Sequence, residues 1–133
     1  MRNRAGIILW CKSKRKLLLI RRIKNNKTYW VVPGGGVETG ESFETTARRE
    51  VYEEIGFISD NIEEFVTIYV EDACEKYFLA TVDDTFEFVI QGEEAGRRNE
   101  LNQYIPEWIS IDELGSIKLL PSQLKEHCYE HFI

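Results

Sequence analysis

An α/β fold, with helices packed on one mixed β-sheet, is predicted by three observations. Apolar runs of strand length recur at residues 5–11, 17–23, 29–32, 64–70 and 76–82, each bounded by polar or turn-forming residues. Between them, residues 41–55 contain no glycine or proline and are closed by Gly56, the pattern of a helix with its C-terminal stop. Residues 121–132 place Leu124, Cys128 and Phe132 on one side, as a closing helix would. A chain of 133 residues is long enough for a hydrophobic core, and residues 1–133 are expected to form a single domain.

The elements follow in order. Residues 5–11 (AGIILWC) are almost wholly apolar and predict a mostly buried strand, and the polar residues 13–16 predict a turn. Residues 17–23 and 29–32 flank Asn25 and Asn26, which predicts a hairpin. Pro33 should end regular pairing, and Gly34, Gly35 and Gly36 are expected to form a loop. Strands are predicted at 64–70 and 76–82, and a third at 86–91 after Asp83 and Asp84. Residues 92–99 are charged and read as a loop. Residues 104–110, which include Pro106, read as a short edge strand or extended segment, and 112–114 as a helical turn.

Composition narrows the function. There are 17 basic and 23 acidic side chains, for a formal net charge of -6. Such a surface repels nucleic acid, so no extended nucleic-acid partner is expected, and a phosphate substrate calls for a cation between itself and the protein. Cys11, Cys74 and Cys128 match no zinc spacing and are odd in number, which suits free thiols in a reducing compartment. No apolar run reaches the length of a membrane span, and the apolar run that follows the basic Arg2 and Arg4, residues 5–10, is too short for a signal peptide. No membrane partner and a cytoplasmic location are the resulting expectations.

The chemistry is concentrated in residues 34–57, GGGVETGESFETTARREVYEEIGF. At about 100° per residue, Phe43, Ala47, Val51 and Ile55 form an apolar stripe. Glu50 and Glu54 fall within roughly 20° of Phe43, and Glu53 lies beyond Glu50 on the same side. Carboxylates bordering a packed face repel one another and resist burial unless a divalent cation compensates them. Oxygen ligands suit magnesium or manganese rather than zinc, and His127 and His131, the two histidines, are remote in the sequence. Arg49 is placed to pair with Glu53 one turn on, and the adjacent glycines can bring backbone groups close to a ligand.

These residues resemble the signature of the Nudix hydrolase family. That signature is glycine, five residues, glutamate, seven residues, Arg-Glu, an aliphatic residue, any residue, Glu-Glu, any residue, glycine and an apolar residue. Gly35, Glu41, Arg49, Glu50, Val51, Glu53, Glu54, Gly56 and Phe57 fill every fixed position. The preceding VVPGG and the later WISIDEL extend the likeness over most of the chain. The resemblance implies an α/β/α sandwich around a mixed sheet. It also implies hydrolysis of a nucleoside diphosphate linked to another moiety, with Mg2+ or, in its place, Mn2+.

Carried onto these positions, the resemblance makes Glu50, Glu53 and Glu54 metal ligands, with Glu50 also a candidate general base. Gly34 matches the residue whose carbonyl joins the metal shell, and Arg49 the arginine that orients the glutamates. Gly35, Gly40 and Gly56 read as structural. A further catalytic glutamate is expected from the loop after residue 91, with Glu93 the first choice ahead of Glu94 and Glu100. Arg97 and Arg98 share that loop. Arg21 and Arg22 alternate on a strand, so one of them should face the cleft. Candidate walls for a nucleobase are Trp30, Tyr69, Tyr77, Phe78 and Trp108.

The implied partner is a nucleotide or nucleoside diphosphate derivative, and the family commonly forms homodimers. Asp72 stands where ADP-ribose hydrolases of the family often have proline. Cys74 and Glu75 stand where dinucleoside polyphosphate hydrolases often have tyrosine. Both substrates are thereby disfavoured, and (d)NTP pyrophosphohydrolysis leads. A nucleotide-sugar substrate, a catalytically silent nucleotide-sensing domain and a protein-interaction module are the alternatives. The interaction module alone needs no divalent cation.

Overall fold

The structure, a computed structural model, describes residues 2–58, 61–89 and 102–133. It contains β1 (Arg4–Cys11), β2 (Lys16–Lys24), β3 (Lys27–Val31), β4 (Gly34–Gly36), α1 (Phe43–Ile55), β5 (Glu63–Val70), β6 (Ala73–Val82) and β7 (Asn102–Ser110). A 3-10 turn (Ile111–Ser116), β8 (Leu119–Leu120) and α2 (Gln123–Phe132) complete it. The strands form a mixed sheet in the order β5-β6-β1-β2-β3-β8, with β4 added beside β1 and β7 beside β2.

The middle strands are continuously apolar because both faces of the sheet are covered. Along β1, Ile7 and Leu9 point to the face packed by Ala47, Val51 and Ile55 of α1, while Ile8 and Trp10 point to the face packed by Leu124, Cys128 and Phe132 of α2. Leu18 and Ile20 of β2 face α1, and Leu17 and Leu19 face α2. The result is the α/β/α sandwich expected. The β2–β3 hairpin turns through Asn25 and Asn26, both left-handed at φ 53° and 64°. This two-residue turn has a backbone twist matching that of the strands.

The centre of the sheet forks. β6 runs parallel to β1 along its whole length. On the other side, β1 pairs with β2 only from Leu9 to Cys11, and with β4 from Arg4 to Gly6. β4 thus occupies the space where β2 leaves β1 to pair with β3 and β7.

Three expectations are corrected here. Gly34, Gly35 and Gly36 are a strand and not a loop. A Cβ on Gly34 would lie 2.2 Å from the Ala5 carbonyl oxygen, so this close pairing needs glycine. Residues 86–89 do not pair as a strand. Instead Phe86 packs edge-on against Phe57 and Trp108, and the Val89 N–H donates to the Ile55 carbonyl at 2.9 Å. Their apolar residues cover the end of α1, and residues 90 and 91 lie outside the described residues. β7 is longer than expected and pairs along all nine residues of β2. Among the described residues its one neighbouring strand is β2, which is compatible with Pro106.

Candidate active site

α1 begins at Phe43, two residues later than the sequence pattern suggests, because Ser42 caps it by accepting the Thr45 N–H at 3.1 Å. Glu41 is left outside the helix. Gly56 ends α1 at φ 73°, with its N–H donating to the Tyr52 carbonyl. Between these stops, the Ala47, Val51 and Ile55 stripe fixes the rotation of the helix on the sheet. That rotation turns Glu50 and Glu54 toward β4.

The approach is close. A Cβ on Gly35 would sit 2.3 Å from the Glu50 carboxyl carbon, so the glycine makes room for that side chain. Glu54 is 2% exposed. Its Oε1 accepts the Gly34 N–H at 2.9 Å, and its Oε2 accepts the Tyr104 hydroxyl. Burial pushes the Glu54 carboxyl up to about 8; Tyr104, Arg4 and the Gly34 N–H pull the other way, and nearby Glu50 adds to the rise. Glu53 differs from its neighbours, with its side chain 55% exposed.

Arg49 ties the helix to the turn before it. Its Nε and Nη2 donate to the two oxygens of Glu41 at 2.8 and 2.9 Å, a bidentate pair. Its Nη1 donates to Glu50 Oε1 at 2.8 Å and lies 3.5 Å from Glu53 Oε1. Glu41 also accepts from the Thr46 hydroxyl at 2.8 Å and from the Glu38 N–H at 3.1 Å. Hydrogen bonds from Arg49, then from Thr46, hold the Glu41 carboxyl down at about 2, below the usual carboxylate range.

A cleft of about 410 Å³ opens at the fork in the sheet, with Arg4, Arg22, Tyr29, Glu75, Tyr77 and Tyr104 among its lining residues. This volume is within the range of small-molecule sites. Arg22 donates to Asn102 Oδ1 at 2.9 Å and lies over the Tyr104 ring, 4.9 Å from its centre. Arg21 lies on the other face, 3.7 Å from Glu107, which also accepts the Trp30 indole N–H at 2.7 Å. Of the two arginines weighed from the sequence, Arg22 is the one in the cleft.

The sequence-predicted residues therefore divide. Gly34, Arg49, Glu50 and Glu54 are brought together. Glu53 lies at their solvent edge, joined through Arg49. Glu93, Glu94, Glu100, Arg97 and Arg98 lie outside the described residues. Among the nucleobase walls considered, Tyr77 borders the cleft but is itself a core residue, 1% exposed; Phe78 is likewise in the core, and Tyr69 is 73% exposed. Arg4, Tyr29 and Tyr104 were not singled out by the sequence. Arg4 had one visible signal, a lone cation at the start of an apolar strand.

Among the described residues, no three carboxylate, histidine or cysteine side chains converge into a metal cage as they stand. The donors nevertheless fit a hard divalent cation. They are all oxygens, two approach one glycine strand, and one is buried where its charge is poorly compensated. Cys11 and Cys128 are buried and Cys74 half-buried, all as free thiols. No described helix is long and apolar enough to cross a membrane.

Fold and site together define an α/β/α hydrolase-like protein with a carboxylate helix laid against a glycine strand. The NUDIX domain model matches residues 1–132, and the chain belongs to that family. It is 28% identical to an RNA pyrophosphohydrolase of Bartonella bacilliformis, over 96% of this chain and 86% of that protein. Against an RNA pyrophosphohydrolase of Pelagibacter ubique, identity is 43% over 54 residues, which is 41% of this chain and about a third (34%) of that protein. A solved MutT structure, from work on Aliivibrio salmonicida and Vibrio cholerae, superposes with a TM-score of 0.75 at 22% identity and covers 98% of both chains. That likeness establishes the fold.

Proposed function

We propose that this protein is a Mg2+-dependent pyrophosphohydrolase, with Mn2+ an effective substitute, and that a (d)NTP is its substrate. The observation that carries this reading is the convergence of Glu50 and Glu54 on Gly34 and Gly35, braced by the Arg49–Glu41 pair. Glu50, Glu53, Glu54 and the Gly34 carbonyl would hold the cation, and Glu93 would add a carboxylate. When bound, the cation neutralises diphosphate charge and makes water a better nucleophile.

The chain's residues supply the rest. A glutamate of the helix, with Glu50 the first candidate, accepts the proton of the attacking water. The water oxygen bonds to phosphorus as a phosphoric anhydride P–O bond breaks, and the nucleotide and pyrophosphate separate. Arg4 and Arg22 bring positive charge to the cleft, where Tyr29 and Tyr104 offer ring faces for a nucleoside.

A second reading is cleavage at the 5′-triphosphate end of RNA, favoured by the names of the Bartonella and Pelagibacter relatives. It needs only the end of the strand in the cleft and is compatible with an acidic surface. Phosphorus-31 spectroscopy of products from (d)NTPs, ADP-ribose, nucleotide sugars, dinucleoside polyphosphates and a 5′-triphosphorylated oligonucleotide tests both readings. The expected result is nucleoside monophosphate and pyrophosphate from a (d)NTP. Cleavage of the oligonucleotide with free (d)NTPs untouched selects the second reading. Release of phosphate from simple monoesters alone overturns both.

A further inference from the structure

Glu54 is the α1 carboxylate removed from water, and a donor from a different strand reaches each of its oxygens. Gly34 of β4 supplies the N–H for Oε1, and Tyr104 of β7 supplies the hydroxyl for Oε2. The two donors fix both the depth of the carboxylate and the plane of its oxygens. Each oxygen has a second acceptor direction. The Tyr104 ring also lines the cleft and carries Arg22 over its face. One side chain therefore forms part of the cleft wall and holds a carboxylate of the helix.

We propose that Tyr104 is a positioning residue that sets the Glu54 carboxylate for divalent-cation binding. This inference rests on the metal reading of Glu54 given above. Ligating carboxylates are oriented by hydrogen bonds from outside the shell, and losing such a partner weakens metal affinity. The hydroxyl, not the ring, does this work. Phenylalanine keeps the cleft wall and the surface beneath Arg22 and removes only the bond to Glu54.

The test is Mn2+ binding, followed through the electron paramagnetic resonance signal of the free ion, for wild type, Tyr104→Phe, Glu54→Gln and the double variant. Tyr104→Phe should bind Mn2+ about 10- to 100-fold more weakly. The double variant should bind no more weakly than Glu54→Gln, because Tyr104 acts through that carboxylate. In turnover, Tyr104→Phe should need more metal while its KM for substrate at saturating metal stays near wild type. Equal affinity in wild type and Tyr104→Phe overturns the role of Tyr104 and leaves the metal reading standing. Additive losses in the double variant overturn it as well. A wild type that binds no Mn2+ overturns the metal reading and this inference with it. Should Tyr104→Phe fail to melt cooperatively, wild type carrying 13C-labelled tyrosine gives the answer. The Tyr104 Cζ resonance should shift on addition of Mg2+, and an unmoved resonance overturns the proposal.

Discussion

α1 and α2 cover opposite faces of one sheet, and they solve the same packing problem differently. α2 buries Leu124, Cys128 and Phe132, a wholly apolar stripe, and burial there pushes the Cys128 thiol up to about 12. α1 buries Ala47, Val51 and Ile55 in the same way, but buries Glu54 with them. A carboxylate in that position opposes folding unless something compensates its charge. In α1 the compensation is partial: two hydrogen-bond donors and a nearby arginine favour the charge, and the neighbouring Glu50 opposes it. α2 thus presents a wholly apolar stripe to the core, whereas α1 gives up stability to hold a carboxylate rigidly against β4 and β7.

The sharpest way to break that contrast is Glu54→Gln. Turnover should fall on the order of 10²- to 10³-fold, the usual cost of one well-placed electrostatic group. Stability should move the other way. The folded Glu54 carboxyl sits at about 8 against an ordinary 4.5, so the folded state holds its proton longer than the unfolded state does. Its contribution to stability is therefore full below the ordinary value and is lost as pH rises through that window. In chelator, melting curves across this pH range should show wild type losing stability relative to Glu54→Gln, and Mg2+ should stabilise wild type more than the variant. A Glu54→Gln protein with wild-type turnover at saturating Mg2+ removes Glu54 from the metal shell.

Leu124→Ala makes the complementary change in α2. It should cost about 3 kcal/mol of stability in urea titration, as large-to-small core changes do, and leave Mn2+ affinity unaltered. A change in metal affinity would show that the two faces of the sheet are coupled. Arg49→Lys comes next. A lysine cannot reproduce the bidentate contact with Glu41, so the melting temperature should fall, with a clear fall in turnover. Glu41 should respond at low pH: its carboxyl is held near 2, so its contribution is present above the ordinary 4.5 and lost as pH falls toward 2. Thermal melts between these pH values should show that loss in wild type and a smaller one in Arg49→Lys. Glu44→Gln should do least. Glu44 is exposed and paired with Arg48 at 3.2 Å, so turnover and melting temperature should stay close to wild type.

Much of this arrangement was legible in the sequence wherever it depends on local order. The α1 stripe, the Gly56 stop, the Asn25–Asn26 hairpin and the apolar face of α2 are set by neighbours within a few residues, so periodicity and turn chemistry reveal them. The spacing of Glu50 and Glu54 one turn apart placed both beside the packed face. Errors arose where a segment's partners lie far along the chain. Three glycines resemble a loop when considered alone, yet beside Ala5 and Gly6 they form a strand. Residues 86–89 have strand-like composition, but the end of α1 offers them a surface to cover and they do not pair as a strand. The bidentate hold of Arg49 on Glu41 also escaped, since Glu53 is the partner that helical spacing suggests.

The sequence by itself determined the α/β class, the helix that carries the glutamates and membership of the NUDIX family. Each follows from residue type and short-range spacing, which the chain carries into any environment. Tertiary structure alone decided that Glu54 is buried while Glu53 is exposed, that Arg22 and not Arg21 enters the cleft, and that Tyr104 meets Glu54. Those outcomes depend on which strand lies beside which and in what register, and on burial, which a one-dimensional pattern does not contain. A carboxylate's charge is unfavourable or usable according to the dielectric and the donors around it, and here those donors arrive from strands 20 and 50 residues away.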